Sequence, residues 1–93
     1  MTAELIQSVS QAAAILKQLG AERVYLFGSA ATGTLNEGSD IDLAVEGLQP
    51  ALFFGAMTRV GKVLGRSLDL IDLDEPSSFT RYLKEEGKLV RVA

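Results

Sequence analysis

Hydrophobic positions along this chain follow two periods, and the changes from one to the other mark out its elements. Leu5, Val9, Ala12, Leu16 and Leu19 recur at spacings of three and four, with Ile6, Ala13 and Ile15 widening the stripe. That pattern predicts an amphipathic helix. Thr2 suits its N-cap, and Gly20 is placed to end it in a left-handed conformation. Such a stripe could receive a partner protein, but covering the sheet of its own domain is the simpler use and is the reading adopted. Val24 to Phe27 is a short apolar run that breaks at Gly28-Ser29. Ala30, Ala31 and Thr32 make a helical turn that Gly33 ends, and 34–39 is a loop in which Asn36-Glu37-Gly38 has turn chemistry. Ile41, Leu43 and Val45 then resume an apolar strand, interrupted by Asp40 and Asp42.

After Gly47, Pro50 suits the first turn of a second long helix, with Phe53, Met57, Val60 and Leu64 on one face and Ala56 and Val63 beside them. Gly55 and Gly61 weaken this helix by about 1 kcal/mol each relative to Ala, and either close packing or room for a ligand would account for them. Residues 66–73 form another buried strand. Asp74 is the expected cap of a last helix, with Pro76 early in it, Phe79, Tyr82 and Leu83 on its apolar side, and Gly87 closing it. Leu89, Val90 and Val92 alternate imperfectly with Lys88 and Arg91, as in an edge strand guarded by charge. Residues 1–93 are thus expected to form a single domain of the α/β (α+β) class, a small mixed β-sheet flanked by helices.

Composition narrows the chemistry. With 47% hydrophobic residues, the 93-residue chain can bury one modest core. A net charge of -3 argues against a general nucleic-acid binder. No apolar run has the length of a membrane span, and Met1 is not followed by a signal-like leader, so a cytoplasmic location is expected. The chain has no cysteine and no histidine, which excludes thiolate and imidazole chemistry. Carboxylates, hydroxyls, Lys or Arg, and metal must do the work.

The densest chemistry lies between Phe27 and Val45. In a strand, alternate side chains share a face, so Asp40 and Asp42 point one way and Ile41, Leu43 and Val45 the other. Paired carboxylates repel unless a cation joins them, and hard oxygen ligands favour Mg²⁺, commonly held together with a substrate's phosphates. Upstream, Gly28 lets the backbone approach a ligand and Ser29 adds a hydroxyl. A phosphate grip is followed by a metal grip.

Gly28-Ser29 in LFGSAATG, residues 30–39, and then Asp40-Ile41-Asp42 in SDIDLAV together resemble the signature of the nucleotidyltransferase superfamily that includes DNA polymerase beta. The short chain is most similar to its minimal nucleotidyltransferases. The resemblance implies that Gly28 and Ser29 bind the nucleotide, and that Asp40, Asp42 and a third acid are catalytic and bind metal. That third acid sits in the apolar strand after the intervening helix, which favours Asp69 over Asp72; an unbroken strand turns the two to opposite faces. A buried Asp69 paired with Arg66 or Arg59 is the structural alternative. Family members often carry a basic residue just after Gly-Ser or just before the closing glycine. This chain has Ala30 and Thr32 there.

The resemblance also implies ATP as substrate, Mg²⁺ (or Mn²⁺) as cofactor, and a helical HEPN-domain toxin as partner. The expected activity is transfer of AMP to a tyrosine of that toxin by its antitoxin. The alternative is a non-catalytic nucleotide-binding or antitoxin module that neutralises its partner by contact. Transfer to a small hydroxylated molecule would need an acceptor pocket formed by homo-oligomerisation. A patch of Arg81, Lys84, Lys88 and Arg91 could attract phosphate, and a solvated helix face is its plainer reading.

Overall fold

Four strands and four helices alternate along the chain, in a computed structural model that describes residues 2–33 and 38–93. The turn expected at Asn36-Glu37 and most of the 34–39 loop lie outside these residues. Helix α1 (Ala3–Gln18) is capped by Thr2, whose Oγ1 accepts from the Leu5 N–H at 3.1 Å. The chain turns at Gly20, whose φ of 115° favours glycine, and enters β1 (Arg23–Phe27). The short helix α2 (Gly28–Thr32) ends at Gly33, which is left-handed. Strand β2 (Ile41–Glu46) leads through a 3-10 turn (Pro50–Leu52) into α3 (Phe53–Leu64). Strand β3 (Leu68–Asp72), α4 (Ser78–Glu85) and a two-residue β4 (Val90–Arg91) complete the fold.

The sheet order is β3-β2-β1-β4. Strand β2 runs antiparallel to β1 and parallel to β3, with α3 as the crossover that parallel neighbours require. The expected edge strand is β4, antiparallel to β1. Val24, Leu26, Ile41, Leu43, Val45 and Leu70 point to one face and pack against Val9, Ala12, Ala13 and Leu16 of α1 and Ala56, Val60 and Leu64 of α3. Phe27, Ala44 and Leu73 meet Leu83 of α4 on the other. The architecture is the mixed sheet flanked by helices that the periodicity predicts.

Three local expectations are corrected. Asp74 does not cap α4: Ser77 does, in a capping box in which Ser77 Oγ accepts from the Thr80 N–H and Thr80 Oγ1 from the Ser77 N–H, each at 3.1 Å. Pro76 lies before the helix, and Asp74 Oδ2 instead accepts from the Gly47 N–H at 2.7 Å, tying together the exits of β2 and β3. On α3 the buried stripe is Ala56, Val60 and Leu64, with Phe53 partly covered and Met57 exposed, because the helix meets α1 through its small residue. Neither Gly55 nor Gly61 has a neighbour within 4 Å of where a Cβ would sit, so close packing does not explain them.

Candidate functional site

The site forms where β1, β2 and β3 begin or end at one edge of the sheet. Antiparallel pairing sets Phe27 opposite Asp42, and parallel pairing sets Asp42 opposite Asp69. Paired residues on neighbouring strands point the same way, so Asp42 and Asp69 share a face. It is the face opposite Ile41, Leu43 and Leu70, which are buried under α1 and α3. Asp40 precedes β2 and belongs to the same alternation.

Electrostatics registers the grouping. Burial raises the Asp42 pKa, and the charge of Asp69, a hydrogen bond with Asp69 and the charge of Asp40 raise it further. Asp42 therefore feels both other acids. Asp69 is exposed, so the buried-pair alternative fails, and among the described residues no ion pair joins it to Arg66 or Arg59; Arg66 Nη1 donates to the Ser39 carbonyl at 3.3 Å. Asp72 sits at the far end of β3, in register with Val45, where its Oδ1 accepts from the Asp74 N–H.

Gly28 closes the group. Its φ is 66°, and a Cβ added there would run into Asp42 Oδ2. Both features call for glycine: the left-handed backbone turns the chain from β1 into α2, and the missing side chain leaves room for the carboxylate. Ser29 follows it, half-buried. Thr32 Oγ1 donates to the carbonyls of Gly28 and Ser29, each at 3.3 Å, bracing the bend. The structure thus brings Gly28, Ser29, Asp42 and Asp69 to one edge of the sheet, with Asp40 near enough to act on Asp42.

Among the described residues no three acidic side chains are arranged as a ready-made metal cage. What the donors do offer is a facing pair of hard oxygen ligands with a third carboxylate beside them. This chemistry fits Mg²⁺, which is usually held by one or two carboxylates with phosphate oxygens completing the shell. A cation there would also relieve the repulsion that raises the Asp42 pKa.

One part of the neighbourhood was not singled out from the sequence. Phe27, Gly28, Thr32, Phe79, Tyr82, Leu83 and Lys88 line a cavity of about 290 Å³ on the far side of Gly28 from the acids. The rings of Phe27 and Phe79 meet edge to face at 6.0 Å. Phe79 and Tyr82 remain 47% and 51% exposed, unusual for large rings on the inner side of a helix. The available signal was Lys88 standing just after Gly87, but sequence spacing groups it with Arg81 and Lys84, which line a different cavity among Asp74, Glu75 and Glu85.

The comparisons agree with this fold. A structure described as a minimal nucleotidyltransferase superposes with a TM-score of 0.71 at 23% identity, covering 96% of this chain and 94% of its own. A toxin-antitoxin crystal structure with AMP-PNP gives 0.72 at 23% identity, covering 92% and 70% respectively. A toxin-antitoxin MntA-HepT structure gives 0.67 at 20% identity, covering 91% and 68%. At these identities the likeness is one of fold. No curated protein matches the sequence. The family model for the nucleotidyltransferase domain matches residues 9–92, nearly the whole chain and every site residue above, and the chain belongs to that family.

Proposed function

We propose that this nucleotidyltransferase domain transfers AMP from ATP to a hydroxyl of a partner protein, with a tyrosine of a HEPN-domain toxin as the acceptor and the chain itself as antitoxin. The observation that carries the reading is the register of Asp42 with Asp69 on adjacent strands, with Gly28 pressed against Asp42. Family membership supports nucleotide transfer. The fold neighbours described as toxin-antitoxin structures, one with AMP-PNP, support the nucleotide and the kind of partner.

In this reading Gly28 and Ser29 hold the phosphates that leave. The Gly28 backbone has no side chain to keep them away, and the Ser29 hydroxyl is a donor beside them. Asp42 and Asp69, with Asp40, would hold Mg²⁺, which supplies charge stabilisation at the phosphate oxygens when bound. The acceptor oxygen forms a bond to the α-phosphorus as the bond from that phosphorus to the bridging oxygen breaks, and pyrophosphate departs with the electron pair. The acceptor's proton passes to the carboxylate of Asp69, which is exposed and faces the group. Alignment of attacking and leaving oxygens supplies much of the rate, so little acid-base equipment is needed. This suits a chain without histidine.

The second reading is a module that neutralises its partner by binding alone. Incubating the chain with α-labelled ATP, Mg²⁺ and a HEPN-domain protein found in the neighbouring gene separates the two. Label on a partner tyrosine is the expected result; a tight unlabelled complex would establish the binding module instead. Among the described residues no helix is long and apolar enough to cross a membrane.

A further inference from the structure

The geometry points to Lys88 as the cation that holds the terminal phosphate of the nucleoside triphosphate, in the cavity beside Gly28 and in place of the basic residue that Ala30 and Thr32 lack. The inference rests on the nucleotide reading above and adds a residue to it.

Sheet order supplies the argument. Across one edge of the sheet come Asp69 on β3, Asp42 on β2, Gly28 at the end of β1, and the entry to β4. Strand β4 pairs antiparallel with β1, Tyr25 with Arg91 and Leu26 with Val90. Extending that register by two residues sets Lys88 level with Gly28, and Lys88 and Gly28 do line the same cavity. The acids and the lysine therefore stand on opposite sides of the glycine bend. A triphosphate whose α-phosphate lies at the acids and whose middle passes Gly28 places its tail toward Lys88.

Size and charge agree. At about 290 Å³ the cavity is at or below the roughly 300–1,000 Å³ of pockets that enclose drug-sized ligands, so it suits a phosphate tail better than a whole nucleotide. Its other walls are Phe27, Thr32, Phe79, Tyr82 and Leu83, and among the described residues no carboxylate lines it to neutralise the ammonium. Aromatic walls on one side lower the local polarity, which strengthens attraction between a cation and a phosphate relative to open water. Arg81 and Lys84 line a cavity with Asp74, Glu75 and Glu85, where carboxylates compete for them. Lysine is well suited to the task, as a point charge that does not need a planar partner.

Calorimetric titration with Mg²⁺ present, using ATP, AMP and inorganic triphosphate as probes, tests the assignment. Lys88→Ala is expected to weaken ATP and inorganic triphosphate at least about tenfold, ~1.4 kcal/mol, while AMP affinity is unchanged. Lys88→Arg should restore most of the loss, and Lys84→Ala, which removes the same charge from α4, should have no effect. Lys88 is exposed, so neither substitution threatens the fold, and thermal melting checks this. If Lys88→Ala binds ATP as wild type does, or loses AMP and ATP equally, the Lys88 assignment is overturned and the nucleotide reading stands. If wild type itself binds neither ATP nor inorganic triphosphate, both fall.

Discussion

Strand β2 presents two chemistries to its two sides. Toward α1 and α3 it offers Ile41, Leu43 and Val45, each fully buried. Toward α4 it offers Asp42, Ala44 and Glu46, and α4 covers only the middle through Leu83. The first face is a closed core in which apolar surface removed from water contributes about 25 cal/mol per Å². The second is left partly open, so carboxylates can be set side by side without being sealed from solvent, and they destabilise rather than hold the sheet. Stability is concentrated on one side of a single strand so that the other can carry repulsive groups.

The sharpest way to break that comparison is to change one residue on each side. Asp42→Asn should cut metal-dependent transfer of label from ATP by more than ~100-fold, since even residues that only orient metal ligands are worth 10–100-fold. Its circular dichroism spectrum should match wild type. Undiminished transfer would refute the assignment. Leu43→Ala, one position away, should do the reverse: chemical denaturation should show a loss of about 2–5 kcal/mol, with transfer per folded molecule kept. If both variants lost activity and stability alike, the two sides would not be separate in function.

The smallest effect concerns Asp42 without metal. Its pKa is raised by burial, Asp69 and Asp40, so the folded state disfavours the charged form. Below the ordinary aspartate pKa both folded and unfolded states hold the proton, and there is no penalty. As pH rises from there through the raised value the unfolded state releases its proton first, and stability falls. In metal-free buffer Asp42→Asn should therefore melt slightly above wild type at neutral pH, since like charges facing each other across strands destabilise a sheet. The difference should vanish in strong acid. Added Mg²⁺ should raise the wild-type melting temperature and leave the variant unmoved.

Much of this was legible beforehand because it depends on local periods. The helices follow from three-and-four spacing, and the common face of Asp40 and Asp42 from alternation. Asp69 over Asp72 came from the family pattern, with alternation allowing only one of them. Gly28 was legible as a bend, but not as the gap that admits Asp42 Oδ2. The cap of α4 was misplaced because Asp74 and Ser77 are both good capping residues, and the Gly47 N–H that claims Asp74 lies on a different part of the chain. Lys88 was legible only as one member of a basic patch with Arg81, Lys84 and Arg91, because sequence spacing does not show that Arg81 and Lys84 line a different cavity from it.

By itself the sequence determined which residues form strands and helices, which side of each strand is apolar, and which chemistry is available to a chain without cysteine or histidine. All of these follow from side-chain order and type, which are fixed before folding. Tertiary structure alone decided that Asp42 faces Asp69, that Asp42 occupies the space Gly28 leaves, and that the acids and Lys88 stand on opposite sides of the bend. Those relations depend on strand order and register, which arise when distant segments pack against one another.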